Sequence, residues 1–265
     1  MMQKGISIVA VLFLLALAAG SCEKSAPNQN DPETPAGQGI LRISLTDAPG
    51  DFEAVNITFS EIRAHIDSQW VAVQDTPKTI NLLEWNNGQS IVIGTAEVPA
   101  GHYSQIRLKI DSAEVVVNGI THPLDVPSGA QTGLKLNAHF MVAGGSTYEL
   151  VIDFDVNRSI VVTGPPHNPR YKLKPVIRVA PKAITGSISG TVLNYQDLPV
   201  AYAIQDADTV TSSLVSGDTG KFMLAFLPAG FYTVSIEDTA GLSFTKDSVE
   251  VVAGTDKDLG LITLQ

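Results

Sequence analysis

LRISLTDAPGDFEAVNITFSEIRAHI (residues 41–66) decides the fold. Leu41, Ile43 and Leu45 alternate with Arg42, Ser44 and Thr46, the period-two signature of a strand with one buried face. Ala48-Pro49-Gly50-Asp51 reads as a turn. Val55, Ile57 and Phe59 then share one face, but the apolar set resumes on even positions at Ile62, Ala64 and Ile66. A phase slip of one residue inside a strand predicts a β-bulge near Ser60–Glu61.

The same period recurs along the chain. Residues 70–73 read as a short strand after the tight turn Asp67-Ser68. Residues 80–85 are ambiguous, with room for a single helical turn before Asn86-Asn87-Gly88 ends the segment. Residues 90–98 read as extended, and Pro99-Ala100-Gly101 turns the chain into a strand over 103–110. Residues 114–118 and 120–124 flank Asn118-Gly119, the strongest short hairpin signal present. Strands over 134–138, 148–154, 160–162 and 176–179 complete this region. From Ala183 the pattern restarts, with alternation at Ile188, Gly190 and Val192, at Phe222, Leu224 and Phe226, and at Tyr232, Val234 and Ile236. The fold class is therefore all-β, with two β-sandwich domains, a larger one at 39–183 and a smaller one at 184–265. The two share a phrase, VPAGHY (98–103) and LPAGFY (227–232). Proline presets φ, glycine accepts φ > 0, and the tyrosine can anchor the corner by packing and by its hydroxyl.

Ahead of the strands, Lys4 precedes fourteen almost wholly apolar residues, Ile6 to Ala19, and then Gly20, Ser21 and the only cysteine, Cys22. That run fits a secretory h-region and falls short of the ~20 residues a membrane-spanning helix needs. Small residues before a lone cysteine resemble the lipobox of bacterial lipoproteins, although Ala19 stands where leucine is commoner. The resemblance implies a signal peptide over 1–21, cleaved before Cys22, whose sulfur and new amino group are acylated. The plainer alternative is an ordinary signal peptide followed by a stray thiol. Residues 22–38 then comprise the lipidated cysteine and a flexible tether, with prolines at 27, 32 and 35 and too little apolar surface to fold.

Charge and cysteine usage narrow the partners. Of 17 basic residues only Lys4 lies in 1–21, so 16 remain against 27 acidic ones, a balance of −11. Such a surface argues against nucleic acid and against attraction to anionic lipid heads. The membrane is thus a partner through acyl chains on Cys22, a palmitate-type anchor of two or more chains. With one cysteine, folding rests on hydrophobic cores rather than disulfides.

LRISLTDAPGDFEAVNITFSEIRAH (41–65), VPAGHYSQIRLKIDSA (98–113), VPSGAQTGLKL (126–136) and YKLKPVIRV (171–179) resemble the DUF4382 family, frequent in exported bacterial lipoproteins. The resemblance covers about 39–181 and implies a fold and an envelope context without an active site. ISGTVLNYQDLPV (188–200) and SGDTGKFMLAFLPAGFYTVSIED (216–238) resemble the carboxypeptidase-regulatory-like, prealbumin-type sandwiches, often classed with carbohydrate-binding folds. Asp-Ser-Ala (111–113), Asp-Thr-Val (208–210), Asp-Thr-Ala (238–240) and Asp-Ser-Val (247–249) resemble the O-glycosylation sequon of Bacteroidota envelope proteins, a triplet that strand boundaries also generate readily.

Catalytic constellations are sparse. His65, His102, His122, His139 and His167 form no HExxH and no i, i+4 pair. Ser-Gly-Asp-Thr-Gly-Lys (216–221) mimics a phosphate loop, but its glycine spacing is wrong and Phe222 stands where Ser or Thr belongs. Asp47, Asp51, Asp153 and Asp155 are candidate Ca²⁺ ligands, set against solvated acids that keep turns polar. Trp70 and Trp85, with Tyr171, Tyr195 and Tyr202, are candidate sugar-stacking rings, set against core or corner packing. No cofactor and no enzymatic activity are expected. The leading reading is a non-catalytic envelope lipoprotein presenting two sandwiches for adhesion, matrix or scaffold contacts. The alternatives are a carbohydrate-binding accessory lipoprotein of a polysaccharide-uptake system and an unrecognised hydrolase. A glycan or an envelope protein is the implied partner, and Glu23 after the cysteine favours the outer membrane over the inner, either face being open.

Overall fold

The computed structural model describes residues 37–48, 52–165 and 167–265. Its first strands are β1 (Gln38–Ala48), β2 (Ala54–Ile66), β3 (Gln69–Gln74), β4 (Lys78–Asn81), β5 (Ile91–Pro99) and β6 (Gly101–Val117). Next come β7 (Ile120–Asp125), β8 (Leu134–Val142), β9 (Thr147–Asp155), β10 (Ile160–Thr163), β11 (Arg170–Leu173) and β12 (Ile177–Pro181). A 3₁₀ turn at Leu82–Glu84 and the short helices α1 (Ser128–Thr132) and α2 (Val156–Ser159) interrupt them. The chain closes with β13 (Thr185–Val192), β14 (Val200–Gln205), β15 (Asp208–Leu214), β16 (Lys221–Pro228), β17 (Gly230–Glu237), β18 (Ser243–Val251) and β19 (Asp256–Ile262).

These strands make two sandwiches. A four-stranded sheet ordered β12-β9-β1-β5 packs on an eight-stranded one ordered β10-β11-β7-β6-β2-β3, with β4 added to β2 and β8 to β6. Leu41, Ile43, Ile152 and Phe154 from the first meet Val55, Ile57, Ile106 and Leu108 from the second in one apolar cluster. In the second sandwich, β16-β13-β19 and β15-β14-β17-β18 enclose a separate cluster around Ile188, Phe222, Leu224, Val234 and Ile236. The pairing is mostly antiparallel, but β1 runs parallel to β9, β7 to β11 and β13 to β19.

The phase slip in β2 is a real irregularity. Buried and half-buried positions alternate from Ala54 to Phe59, both Ser60 and Glu61 are half-buried, and alternation resumes at Ile62. The β2–β6 register shifts on either side of Phe59, so the bulge keeps both apolar sets on the core face. The expectation of separate strands at 103–110 and 114–118 is corrected. Gly101–Val117 is one strand, because β6 changes phase at Asp111–Ser112 where its partner β2 is bulged. The Asn118-Gly119 hairpin forms with φ of 51° and 72°, joining β6 to β7.

The repeated Pro-Ala-Gly phrase builds the same corner twice. In the first sandwich it carries the chain from β5 in one sheet to β6 in the other, and in the second from β16 to β17. Gly101 and Gly230 take φ of 151° and 156°, and a Cβ at Gly101 would meet Ile66 Cδ1 at 2.8 Å. Tyr103 and Tyr232 lie buried in their cores, and each hydroxyl donates to the carbonyl of the corner proline, Pro99 or Pro228, at 2.8 Å. Tyr103→Phe and Tyr232→Phe each leave that carbonyl without its donor, so each is expected to cost about 1–2 kcal/mol. Denaturant unfolding should show a lower midpoint at unchanged slope, and the two losses should add, since the cores are separate.

Candidate functional site

The densest buried polar constellation lies where the two sandwiches meet. All six positions from Leu150 to Asp155 on β9 are buried, so both faces of that strand end are covered. Ile152 and Phe154 face the core, while Asp153 and Asp155 turn toward β15, whose Thr211, Ser212 and Ser213 are also buried. Arg178, opposite Asp153 in the β9–β12 register, donates from Nη2 to Asp153 Oδ2 at 2.6 Å. The same guanidinium donates from Nη1 to the Phe226 carbonyl at 2.6 Å, and Thr211 Oγ1 donates to Asp153 Oδ2 at 2.9 Å. Phe226 has φ of 53°, a conformation bulky side chains rarely adopt, in the strand that presents its carbonyl to Arg178.

Two flanking contacts extend this joint. Asp155 caps α2 by accepting from the Arg158 amide at 2.9 Å, and Arg158 Nη1 donates to the Thr209 carbonyl at 2.9 Å. On the other side Asn87, at φ 50°, accepts through Oδ1 from Ser213 Oγ at 2.8 Å and from the Met223 amide at 3.2 Å. Gly88 follows at φ 82°, and a Cβ there would meet Met223 Sδ at 2.5 Å. The Asn86-Asn87-Gly88 turn, legible in sequence only as a terminator, is a contact between sandwiches. Sequence reasoning missed Arg178, which carries no local signal in PVIRV (175–179), and the hydroxyls of 211–213, whose one signal is small polar residues on both faces of DTVTSSL (208–214).

Asp47 lies at the end of β1 on the core side, level with Phe154 of β9. Its Oδ1 accepts from the Val156 amide at 3.1 Å, while buried Oδ2 has no hydrogen-bond partner among the described residues. Burial, chiefly, and the nearby charges of Asp153 and Asp155 push this carboxyl well above the usual carboxylate range. Burial also raises the carboxyl of Asp155. Among the candidate Ca²⁺ ligands, then, Asp47, Asp153 and Asp155 come close together but accept protein hydrogen bonds, and Asp51 lies outside the described residues, as do Cys22 and the segments 1–21 and 22–36. Among the described residues there is no group of three or more His, Cys, Asp or Glu side chains placed to hold a metal ion.

The candidate sugar-stacking rings are placed differently. Trp85 packs against the first core, and its carbonyl accepts from Thr46 Oγ1 and the Asp47 amide. Tyr171 is buried, Tyr195 packs on the second core, and burial raises the phenol of Tyr202. Trp70 is half-buried on the outer face of the eight-stranded sheet, with the Arg107 guanidinium 4.1 Å above its ring and His65 tilted beside it at 4.8 Å. Gln105 and Asn137 lie in the same cross-strand row, and their side chains hydrogen-bond at 3.0 Å. His122 tilts against Tyr171, and His102 stacks on His139.

These features define an all-β protein of two β-sandwiches with a polar joint. The profile of the Domain of unknown function (DUF4382) matches residues 38–175, and the chain belongs to that family. No curated protein is matched. Among solved structures, the Bacillus anthracis TIE protein is 14% identical over 86% of this chain and 34% of its own, with a TM-score of 0.23. BcpA, the major pilin subunit of Bacillus cereus, is 11% identical over 86% of this chain and 70% of its own, at 0.20. A fimbrial protein from Bacteroides ovatus ATCC 8483 is 10% identical over 87% and 50%, at 0.22. This chain spans about a third of the Bacillus anthracis protein.

Arg178→Ala leaves Asp153 buried without its counter-charge and removes the donor to Phe226, an expected loss of about 3 kcal/mol seen as a lower unfolding midpoint. Asp47 holds its proton in the folded chain at pH values where the unfolded chain has released it. Unfolding therefore releases a proton, and this group's contribution to stability falls as pH rises above the ordinary carboxylate value. Asp47→Asn should flatten that fall and raise the melting temperature at neutral pH relative to the parent, measured by thermal melts from pH 4 to 8.

Proposed function

We propose that the chain is a non-catalytic envelope lipoprotein, held by acyl chains on Cys22, whose two sandwiches act as one scaffold offering outward faces to envelope, matrix or adhesion partners. The observation that carries this reading is the joint. Asp153, Arg178, Thr211 and Asn87 are used in hydrogen bonds between the sandwiches, with Arg178 and Asp153 largely buried. Charge-assisted bonds of that kind are stronger than neutral ones and hold a fixed geometry. A scaffold that must keep two surfaces in constant relation needs that property.

A second reading has its own observation. Trp70, Arg107, Arg63, Gln105 and Asn137 line the outer face of the eight-stranded sheet, an aromatic ring amid polar side chains of the sort that binds sugars. Arg107 already covers one face of Trp70, so a glycan would bind the other face or displace the guanidinium.

Palmitate labelling and detergent partitioning of the protein from bacterial envelopes test the anchor. The expected result is label and partitioning in the parent, both lost in Cys22→Ser; an unlabelled parent, or a Cys22→Ser form that still partitions, overturns it. A glycan array separates the two readings. The scaffold reading expects no saturable sugar binding, whereas binding abolished by Trp70→Ala supports the second.

A further inference from the structure

The outer surface of β6 and β8 carries a cluster that neither the joint nor the core uses. His102 on β6 stands directly across from Met141 on β8, and His139 lies two residues before Met141 on the same strand. Residues two apart on a strand share a face, so three side chains converge on one spot. The two imidazole rings are near-parallel, with planes 19° apart and centroids at 5.5 Å. All three residues are exposed, Met141 at 49%. Their neighbours Tyr103, Phe140 and Val142 point the other way and fill the core, so packing does not account for the cluster. The chain has five histidines and four methionines, and two of those methionines are residues 1 and 2. Two of the five histidines and one of the two remaining methionines therefore sit together.

We propose that His102, His139 and Met141 form a surface site for one copper ion in the Cu(I) state. Imidazole serves several metals, but a thioether is a soft ligand that selects Cu(I) over zinc, calcium or magnesium. A metal–imidazole bond of about 2.0 Å lets two nitrogens about 4 Å apart bracket one ion. Rings with centroids 5.5 Å apart reach that span when these exposed side chains rotate out of their stack. The Met141 sulfur then closes the site from the facing strand. Zinc would use the imidazoles alone, so the methionine marks the difference between the two metals.

The test is a titration of the full chain with Cu(I), anaerobically, against a chromophoric Cu(I) chelator, alongside calorimetry with Zn²⁺. The proposal expects one Cu(I) per chain. His102→Ala and His139→Ala should each weaken it by more than about tenfold, and Met141→Leu should weaken Cu(I) by about tenfold while leaving any Zn²⁺ binding unchanged. Thermal melts of the three apo variants should match the parent, since the side chains are exposed. The proposal is overturned if the chelator strips all copper from the parent, if the histidine variants bind Cu(I) like the parent, or if Met141→Leu leaves Cu(I) affinity intact.

Discussion

The buried pair of Arg178 and Asp153 is the interaction on which the assembly depends. Within the first sandwich it ties β12 to β9 across a register position where two charges would otherwise face each other with little water. Taking both out of solvent is costly, and the attraction compensates only if the remaining donors and acceptors are satisfied. The second sandwich supplies those partners, through the carbonyl of Phe226 and the hydroxyl of Thr211. The pair therefore makes the two sandwiches mutually dependent. Removing the second would strand the charges of the first.

Each module has its own constraint, the corner where the chain changes sheets. A sandwich needs a crossing that keeps the apolar side of both strands inward, and a glycine with a positive φ turns the backbone while a buried tyrosine fills the gap beneath it. The hydroxyl then satisfies the proline carbonyl exposed by the turn. That Tyr103 and Tyr232 do so at the same distance in two differently sized sandwiches reflects shared local chemistry: Pro, Gly and Tyr at fixed offsets leave few other ways to bury the corner.

Features written in local spacing were legible before the fold was known. The bulge after Phe59, the Asn118-Gly119 hairpin and both tyrosine corners follow from residues within a few positions of each other. The parallel pairs β1–β9, β7–β11 and β13–β19 were not legible, since nothing local records which distant strand lies alongside. The joint was hidden for a related reason. Asp153 and Asp155 alternate with Ile152 and Phe154 as the solvated face of any half-buried strand would, and only the arrival of β15 turns that face inward. Asp47 misled in the other direction, since an acid beside a turn reads as solvated, yet it ends on the core side with one oxygen unpartnered among the described residues.

Burial of acids at the joint also bears on the surface that remains. The chain is acidic overall, yet Asp47, Asp153 and Asp155 contribute little to its outward field, being buried and, for Asp153, neutralised by Arg178. On the outer face of the eight-stranded sheet, Arg63 pairs with Glu61 and Lys109 with Asp111, whereas Arg107 lies over Trp70 beside Lys135 on the next strand. That face is locally more basic than the composition suggests. Net charge alone thus argues against nucleic acid and anionic lipid for the molecule as a whole, but it does not describe this sheet face, where an aromatic ring, a guanidinium and paired amides meet solvent together.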